Sequence, residues 1–278
     1  MESSGKQDEV CSAYLTALEV ITQNIANANT TAFKRLQVRF QEVIGRSDQE
    51  SNADLVTAGR LVGGFQNGHG VKLNLITRNF SMGKLMKTGE PLDVAIQGDG
   101  FFEVVLPDGL KAYTRDGAFR AVVDGRLTTA EGLPVAGGFQ AIPPGTTSVT
   151  IGHDGRISYL THDGTTSFQV QLCRFDNPAE LCALGDNLYQ ETASSGSPLC
   201  GYPGQTGFGD LVQGCLERSN VDLAEELRDL NRLRNAYEAY STATEMKRKL
   251  TARASKNGDG SEFRGRNSGG WGGSAGSF

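Results

Sequence analysis

The chain has 278 residues, enough for one large domain or two ordinary ones, and enough to bury a substantial core. A hydrophobic fraction of 38% and a formal charge of −5 leave no basic footprint for nucleic acid. No stretch approaches the roughly 20 unbroken apolar residues of a membrane span. The opening MESSGKQDEV lacks the basic start and apolar core of a cleaved secretory signal, so none is expected.

In chain order, the first periodic segment carries Cys11, Tyr14, Leu18, Ile21, Ile25 and Ala28 at alternating steps of three and four. That spacing predicts a helix over 11–28 with a narrow seam of coiled-coil type. It runs into NIANANTTAFKR at 24–35, where asparagines and threonines are poor helix-interior residues and common in turns. Residues 1–45 are read as this helix and its turn. Residues 46–85 are polar, include Gly63-Gly64 and Gly68-His69-Gly70, and read as an extended linker.

The middle is punctuated by Asp-Gly at 99–100, 108–109, 116–117, 124–125, 154–155 and 163–164, with short β-prone runs between. Both residues tolerate the positive φ of tight turns, so the pattern predicts antiparallel hairpins and an all-β domain over 86–205. The same aspartates invite an acid–base reading, but before glycine they serve backbone geometry. Gly98-Asp99-Gly100 lacks the lysine and hydroxyl of a phosphate loop. His153 and His162 could share a metal only if two turns brought them together. No catalytic residue, metal or cofactor is assigned, and an enzyme is not expected. Cys11, Cys173, Cys182, Cys200 and Cys215 form no C-x-x-C pair and are odd in number, so they are expected to be small buried or half-buried thiols without special chemistry.

The last periodic segment, 220–250, carries Leu223, Leu227, Leu230, Leu233, Tyr237, Tyr240, Met246 and Leu250 near helical spacing. Ser219 or Asn220 can cap it, with acids crowding its start and bases its end as the helix dipole favours. It lies in a segment read as 206–252, followed by a Gly/Ser-rich tail, 253–278, expected to be disordered. Each terminal helix offers one seam and no core of its own, so pairing the two would bury both.

The ordered motifs resemble a known family. NIANANTTAFKR, GEPLDVAIQGDGFFEVVLPDG (89–109), AYTRDGAFR (112–120), DGRLTTAEGLPV (124–135), SVTIGHDGRIS (148–158), NLYQETASSGSP (187–198) and LERSNVDLAEELRDL (216–230) are similar to the axial proteins of the bacterial flagellar rod and hook. PLDVAIQGDGFF and NLYQETASSGSP point to its distal-rod branch; proximal rod and hook-type subunits are the alternatives. The resemblance implies an α+β fold, with the terminal helices paired as a coiled-coil inner domain and a mainly antiparallel all-β outer domain. It also implies helical self-assembly into a tube, with proximal rod proteins, hook protein, surrounding ring proteins and the flagellar type III export apparatus as partners. Neither nucleic acid nor membrane insertion is expected. The implied location is the extracytoplasmic basal body, reached without a cleaved signal. The residues expected at the assembly interface are Leu18, Ile21, Asn24, Ile25, Asn27, Asn29, Thr30, Thr31, Phe33, Lys34, Asn220, Leu223, Leu227, Leu230 and Tyr237. A reading from a different class is a β domain that binds or degrades cell wall.

Overall fold

The computed structural model describes residues 2–42, 71–162 and 164–258. It has two compact units, Met1–Leu230 and Asn231–Phe278. Helix α1 spans Glu2–Ala26, so it starts well before the predicted residue 11. Most of the polar opening residues are good helix formers, and polarity alone does not stop a helix. Among its described side chains the buried ones are Val10, Ala13, Ala17, Val20 and Asn24, again in steps of three and four. This face is the predicted seam moved back by one residue. Its two alanines permit close approach to a hairpin of β1 (Leu36–Glu42) and β2 (Val71–Arg78), against which α1 packs. The hairpin is antiparallel, pairing Leu36 with Arg78. Residues 71–78 are therefore a strand within the segment read as a linker; residues 46–70 lie outside the described residues.

The β body of the first unit continues with β3 (Leu85–Lys87), β4 (Val94–Gln97), β5 (Phe102–Val105) and β6 (Lys111–Thr114). Next come β7 (Arg120–Ala121), β8 (Leu127–Thr128), β9 (Ser148–Ile151), β10 (Arg156–Thr161) and β11 (Gly164–Gln169). It closes with β12 (Leu172–Arg174), β13 (Cys182–Gly185), β14 (Leu188–Gln190), β15 (Leu199–Gly201), β16 (Asp210–Gln213) and β17 (Cys215–Glu217). All pairs between these strands are antiparallel, in the orders β13-β14-β6-β5, β11-β10-β9, β12-β15, β16-β4, β17-β3 and β7-β8. Because β16 and β17 pair back onto β4 and β3, the strands run past the predicted end at 205.

Asp-Gly turns join β5 to β6, β7 to β8 and β9 to β10, where Asp108, Asp124 and Asp154 each accept the N–H two residues on through Oδ1. The pair at 116–117 is different. Val94 N donates to Gly117 O, and a side chain at Gly117 would collide with the Val94 carbonyl, so only glycine allows this approach of β4. Ile96, Phe102, Ile157 and Leu172 lie at the centre of the main core, fully buried. A second cluster packs Phe101, Tyr113, Phe175 and Tyr189 edge to face, with Phe80 against it.

The cysteine expectation is corrected at one pair. Cys173 and Cys200 face each other across β12 and β15 with Cα atoms 4.1 Å apart and are joined as a disulfide. They lie 27 positions apart in sequence, so only the strand register brings them together. Cys11, Cys182 and Cys215 take no part in this disulfide.

Helix α2 spans Leu223–Gly258. Its cap is Asp222, whose Oδ1 accepts the N–H groups of Ala224 and Glu225, rather than Ser219 or Asn220. In the second unit the helix carries exposed pairs one turn apart, Arg234 with Glu238 and Glu245 with Lys249. It extends to Gly258, beyond the predicted stop at 250; the rest of the predicted tail, 259–278, lies outside the described residues. Among the described residues, no helix is long and apolar enough to cross a membrane.

Candidate functional site

The segment NIANANTTAFKR folds as a junction that ties α1 to the β body and to the start of α2. Asn24 is 1% exposed and faces the backbone of Leu36: its Nδ2 donates to Leu36 O and its Oδ1 accepts from Leu36 N, both at 2.8 Å. The chain is thereby folded back on the helix it has just left. Asn27 Nδ2 donates to Gln23 O, and Thr30 Oγ1 donates to Asn27 Oδ1. The reversal is completed at Ala32, buried in the left-handed region at φ 57, whose N–H donates to Glu217 O. That conformation costs a non-glycine residue roughly 1–2 kcal/mol, which the surrounding hydrogen bonds must offset.

Other elements converge on the same turn. Asn187, at the tip between β13 and β14, donates to Thr31 O, and Arg218 donates to Asn29 Oδ1. Phe33 is buried with the Arg78 guanidinium 5.9 Å from its ring centroid. Asn220 bridges three segments: its Oδ1 accepts from Arg35 N, while its Nδ2 donates to the carbonyls of Asn79 and Ser81.

Beneath the turn lies a buried charge cluster. Glu217 accepts from Lys34 Nζ at 2.6 Å, Gly83 N at 2.7 Å and Arg115 Nε at 2.8 Å. The other nitrogens of Arg115 donate to the carbonyls of Ile96, Gly98 and Gly100. Two cations thus share one carboxylate. Burial pushes the Lys34 ammonium down to about 8, Arg115 adds to the fall, and Glu217 opposes it. Burial alone would raise the Glu217 carboxyl, but Arg115 and Lys34 outweigh it and hold the group below its ordinary value. Beside them Arg35 reaches the first turns of α2, with Nε 2.5 Å from buried Glu226 and Nη1 3.1 Å from Glu225. Asp116 is pushed up to about 6, by burial first, then by Glu131 and Asp93 against the opposing Ala118 N–H.

Asn24, Asn27, Asn29, Thr30, Thr31, Phe33, Lys34 and Asn220, all expected at an interface, are brought together at this junction. The expected apolar residues other than Phe33 are not in it. Ile21, Ile25 and Leu230 are half-buried, while Leu18, Leu223, Leu227 and Tyr237 are 39–47% exposed on their helices. Glu217, Arg115, Arg35, Glu226 and Asn187 were missed, because nothing local in the sequence joins positions 34, 115 and 217. Among the described residues, one group of three metal-capable side chains occurs, Glu103, Cys173 and Cys200, and its two sulfurs are bonded to each other.

Residues 12–34, ending inside the junction, match a family model described as flagella basal body rod protein. Residues 95–159 match one described as flagellar hook protein FlgE/F/G D1 domain. The chain is 39% identical over 241 residues to the flagellar basal-body rod protein FlgG of Buchnera aphidicola subsp. Acyrthosiphon pisum, covering 84% of this chain and 92% of that protein. It is 37% identical over 226 residues to FlgG of Bacillus subtilis, covering 78% and 84%. To the rod protein FlgF of Caulobacter vibrioides it is 34% identical over 227 residues, covering 81% and 84%.

Proposed function

The chain belongs to the family of flagellar basal-body rod proteins, and from that membership we propose that it is a structural, non-enzymatic subunit of the distal rod. Copies polymerise helically into a hollow shaft that transmits torque and passes exported axial proteins. The distal position is supported by the motifs PLDVAIQGDGFF and NLYQETASSGSP. The chain works outside the cytoplasm, delivered unfolded by the flagellar export apparatus, with proximal rod, hook and ring proteins as neighbours.

The observation that carries the assembly reading is the placement of exposed apolar side chains on both terminal helices. Leu15 and Leu18 stand 59% and 40% exposed on α1; Leu223, Met246 and Leu250 stand 47%, 61% and 68% exposed on α2. Scattered single leucines on a surface are ordinary, but repetition along a helix invites burial by another helix. In this reading the helices of neighbouring copies pair as coiled coils, and the half-buried Ile21, Ile25 and Leu230 complete those seams. The junction then has a mechanical role. Its buried ion pairs and amide bonds fix the direction in which α1 leaves the β body, so every copy presents its seam at one angle and load passes through rigid contacts.

A charge at an exposed seam position tests this without breaking the monomer. Leu18→Asp and Leu223→Asp are expected to keep the circular-dichroism spectrum and thermal midpoint of the parent while abolishing polymers seen by electron microscopy. Polymers of ordinary length from the double variant would refute the seam assignment.

A further inference from the structure

We infer that Cys173 and Cys200 form a redox latch that is made once the β body has folded, resists reduction afterwards, and clamps the 174–199 excursion over the junction. This goes beyond the rod assignment and does not depend on it. The segment between the two cysteines leaves β12, passes through β13 and β14, and returns at β15. Along the way it supplies Phe175 and Tyr189 to the aromatic cluster, pairs Leu188 and Tyr189 with β6, and carries Asn187, which donates to Thr31 O. The cross-link fastens the two ends of this excursion where Phe101 also bridges to Cys173.

The two sulfurs have different surroundings, and that difference sets the chemistry. Cys200 is exposed, whereas Cys173 is 1% exposed with its Sγ 3.8 Å from Glu103 Oε2. Before oxidation, the accessible Cys200 thiolate attacks a small-molecule or protein disulfide, forming a mixed disulfide and releasing one thiolate of the reagent. The Cys173 thiol gives up its proton to solvent base. Its sulfur then attacks Cys200 Sγ, displacing the second reagent thiolate. Two protein thiols become one disulfide and the reagent disulfide becomes two thiols. Thiol-poised cytosol opposes this step, so the latch closes in an oxidising compartment.

Reversal is slow because the buried sulfur must be the one expelled. A reducing thiolate arriving from solvent meets Cys200, the exposed residue of the pair, which makes buried Cys173 the leaving group. A thiolate expelled into a buried site beside a carboxylate is a poor leaving group, and leaving-group basicity controls the rate of exchange. Lys111 Nζ, 3.1 Å from Glu103, partly neutralises that carboxylate and moderates the effect.

The test uses the full chain made under oxidising conditions. Alkylation of the unreduced, denatured protein should label Cys11, Cys182 and Cys215, and peptide mapping should recover Cys173 linked to Cys200. In native buffer with dithiothreitol, Glu103→Gln should speed reduction roughly threefold and Lys111→Gln should slow it, since they change the leaving-group environment in opposite senses. Cys200→Ala, a surface change, should raise amide exchange across 182–190. Five labelled thiols would overturn the latch. Equal reduction rates in both charge variants would overturn the leaving-group argument, and unchanged exchange in Cys200→Ala would overturn the clamp.

Discussion

The charge cluster under the turn makes an asymmetric prediction. Lys34 and Glu217 have fully buried side chains and that of Arg115 is 3% exposed, so none of the three is screened by solvent. Glu217→Gln removes the anion and leaves two buried cations facing each other. Breaking a buried pair in this way costs about 3–5 kcal/mol. Lys34→Met removes the surplus cation instead. Glu217 keeps Arg115 and the Gly83 N–H, and Ser81 O keeps the Asn220 amide, so no partner is orphaned. The folded pKa of Lys34, about 8 against an ordinary 10.5, already marks its buried charge as costly. That gap corresponds to about 3 kcal/mol, opposing the lost hydrogen bonds and packing, so Lys34→Met should change stability by about 1 kcal/mol or less. Between pH 8 and 10.5 the unfolded chain holds more protons on Lys34 than the folded one, so this group makes the parent's stability rise with pH across that window. The Lys34→Met variant should lose that rise. Guanidinium unfolding of the full chain at pH 7 and 10 measures both effects. Equal destabilisation by the two substitutions at pH 7 would refute the two-cations-on-one-carboxylate reasoning.

Asn24→Ala should cost about 2–4 kcal/mol by orphaning the buried N–H and C=O of Leu36, read as a lower thermal midpoint with the β body still native-like. Asp116, raised to about 6 from 3.8, binds its proton more tightly when folded, so its contribution is full below pH 3.8 and lost as pH rises through 6. Asp116→Asn should accordingly stabilise the chain at pH 7 by about 1–2 kcal/mol, allowing for partial exposure, and show no gain at pH 3.5. Gly117→Ala should prevent β4 from pairing with the 116–118 segment, and a soluble variant with an unchanged midpoint would contradict the contact. Cys200→Ala should lose about 3–4 kcal/mol relative to the oxidised parent, by closure entropy of a 27-residue loop, and nothing relative to the reduced parent.

The sequence made the broad fold legible because its signals were local. Asp-Gly pairs marked tight turns, and threes and fours marked helices at both ends. The face of α1 that packs on the hairpin lies one residue behind the predicted seam, because the buried Ala13 and Ala17 are small while the large Tyr14 and Leu18 lie beside them. Size is what a close helix–hairpin approach excludes, so the apolar bulk pointed to the outward row. Strand β2 was lost because its partner β1 lies across a long intervening segment, and cross-strand pairing leaves little trace within either strand. Cys173 and Cys200 were invisible as a pair for the same reason, since strand register joins them rather than spacing. At the junction the amide-rich turn could be read, but its counter-charges could not. Arg115 sits at the end of β6 and Glu217 at the end of β17, and only the folded sheet brings them to Lys34.

Basal bodies isolated from cells lacking only this chain test most directly whether it builds the distal rod. Electron cryo-microscopy should show rods stopped short of full length and without hooks, with full-length rods restored when the chain is supplied again. Full-length, hook-bearing rods in its absence would contradict the assignment.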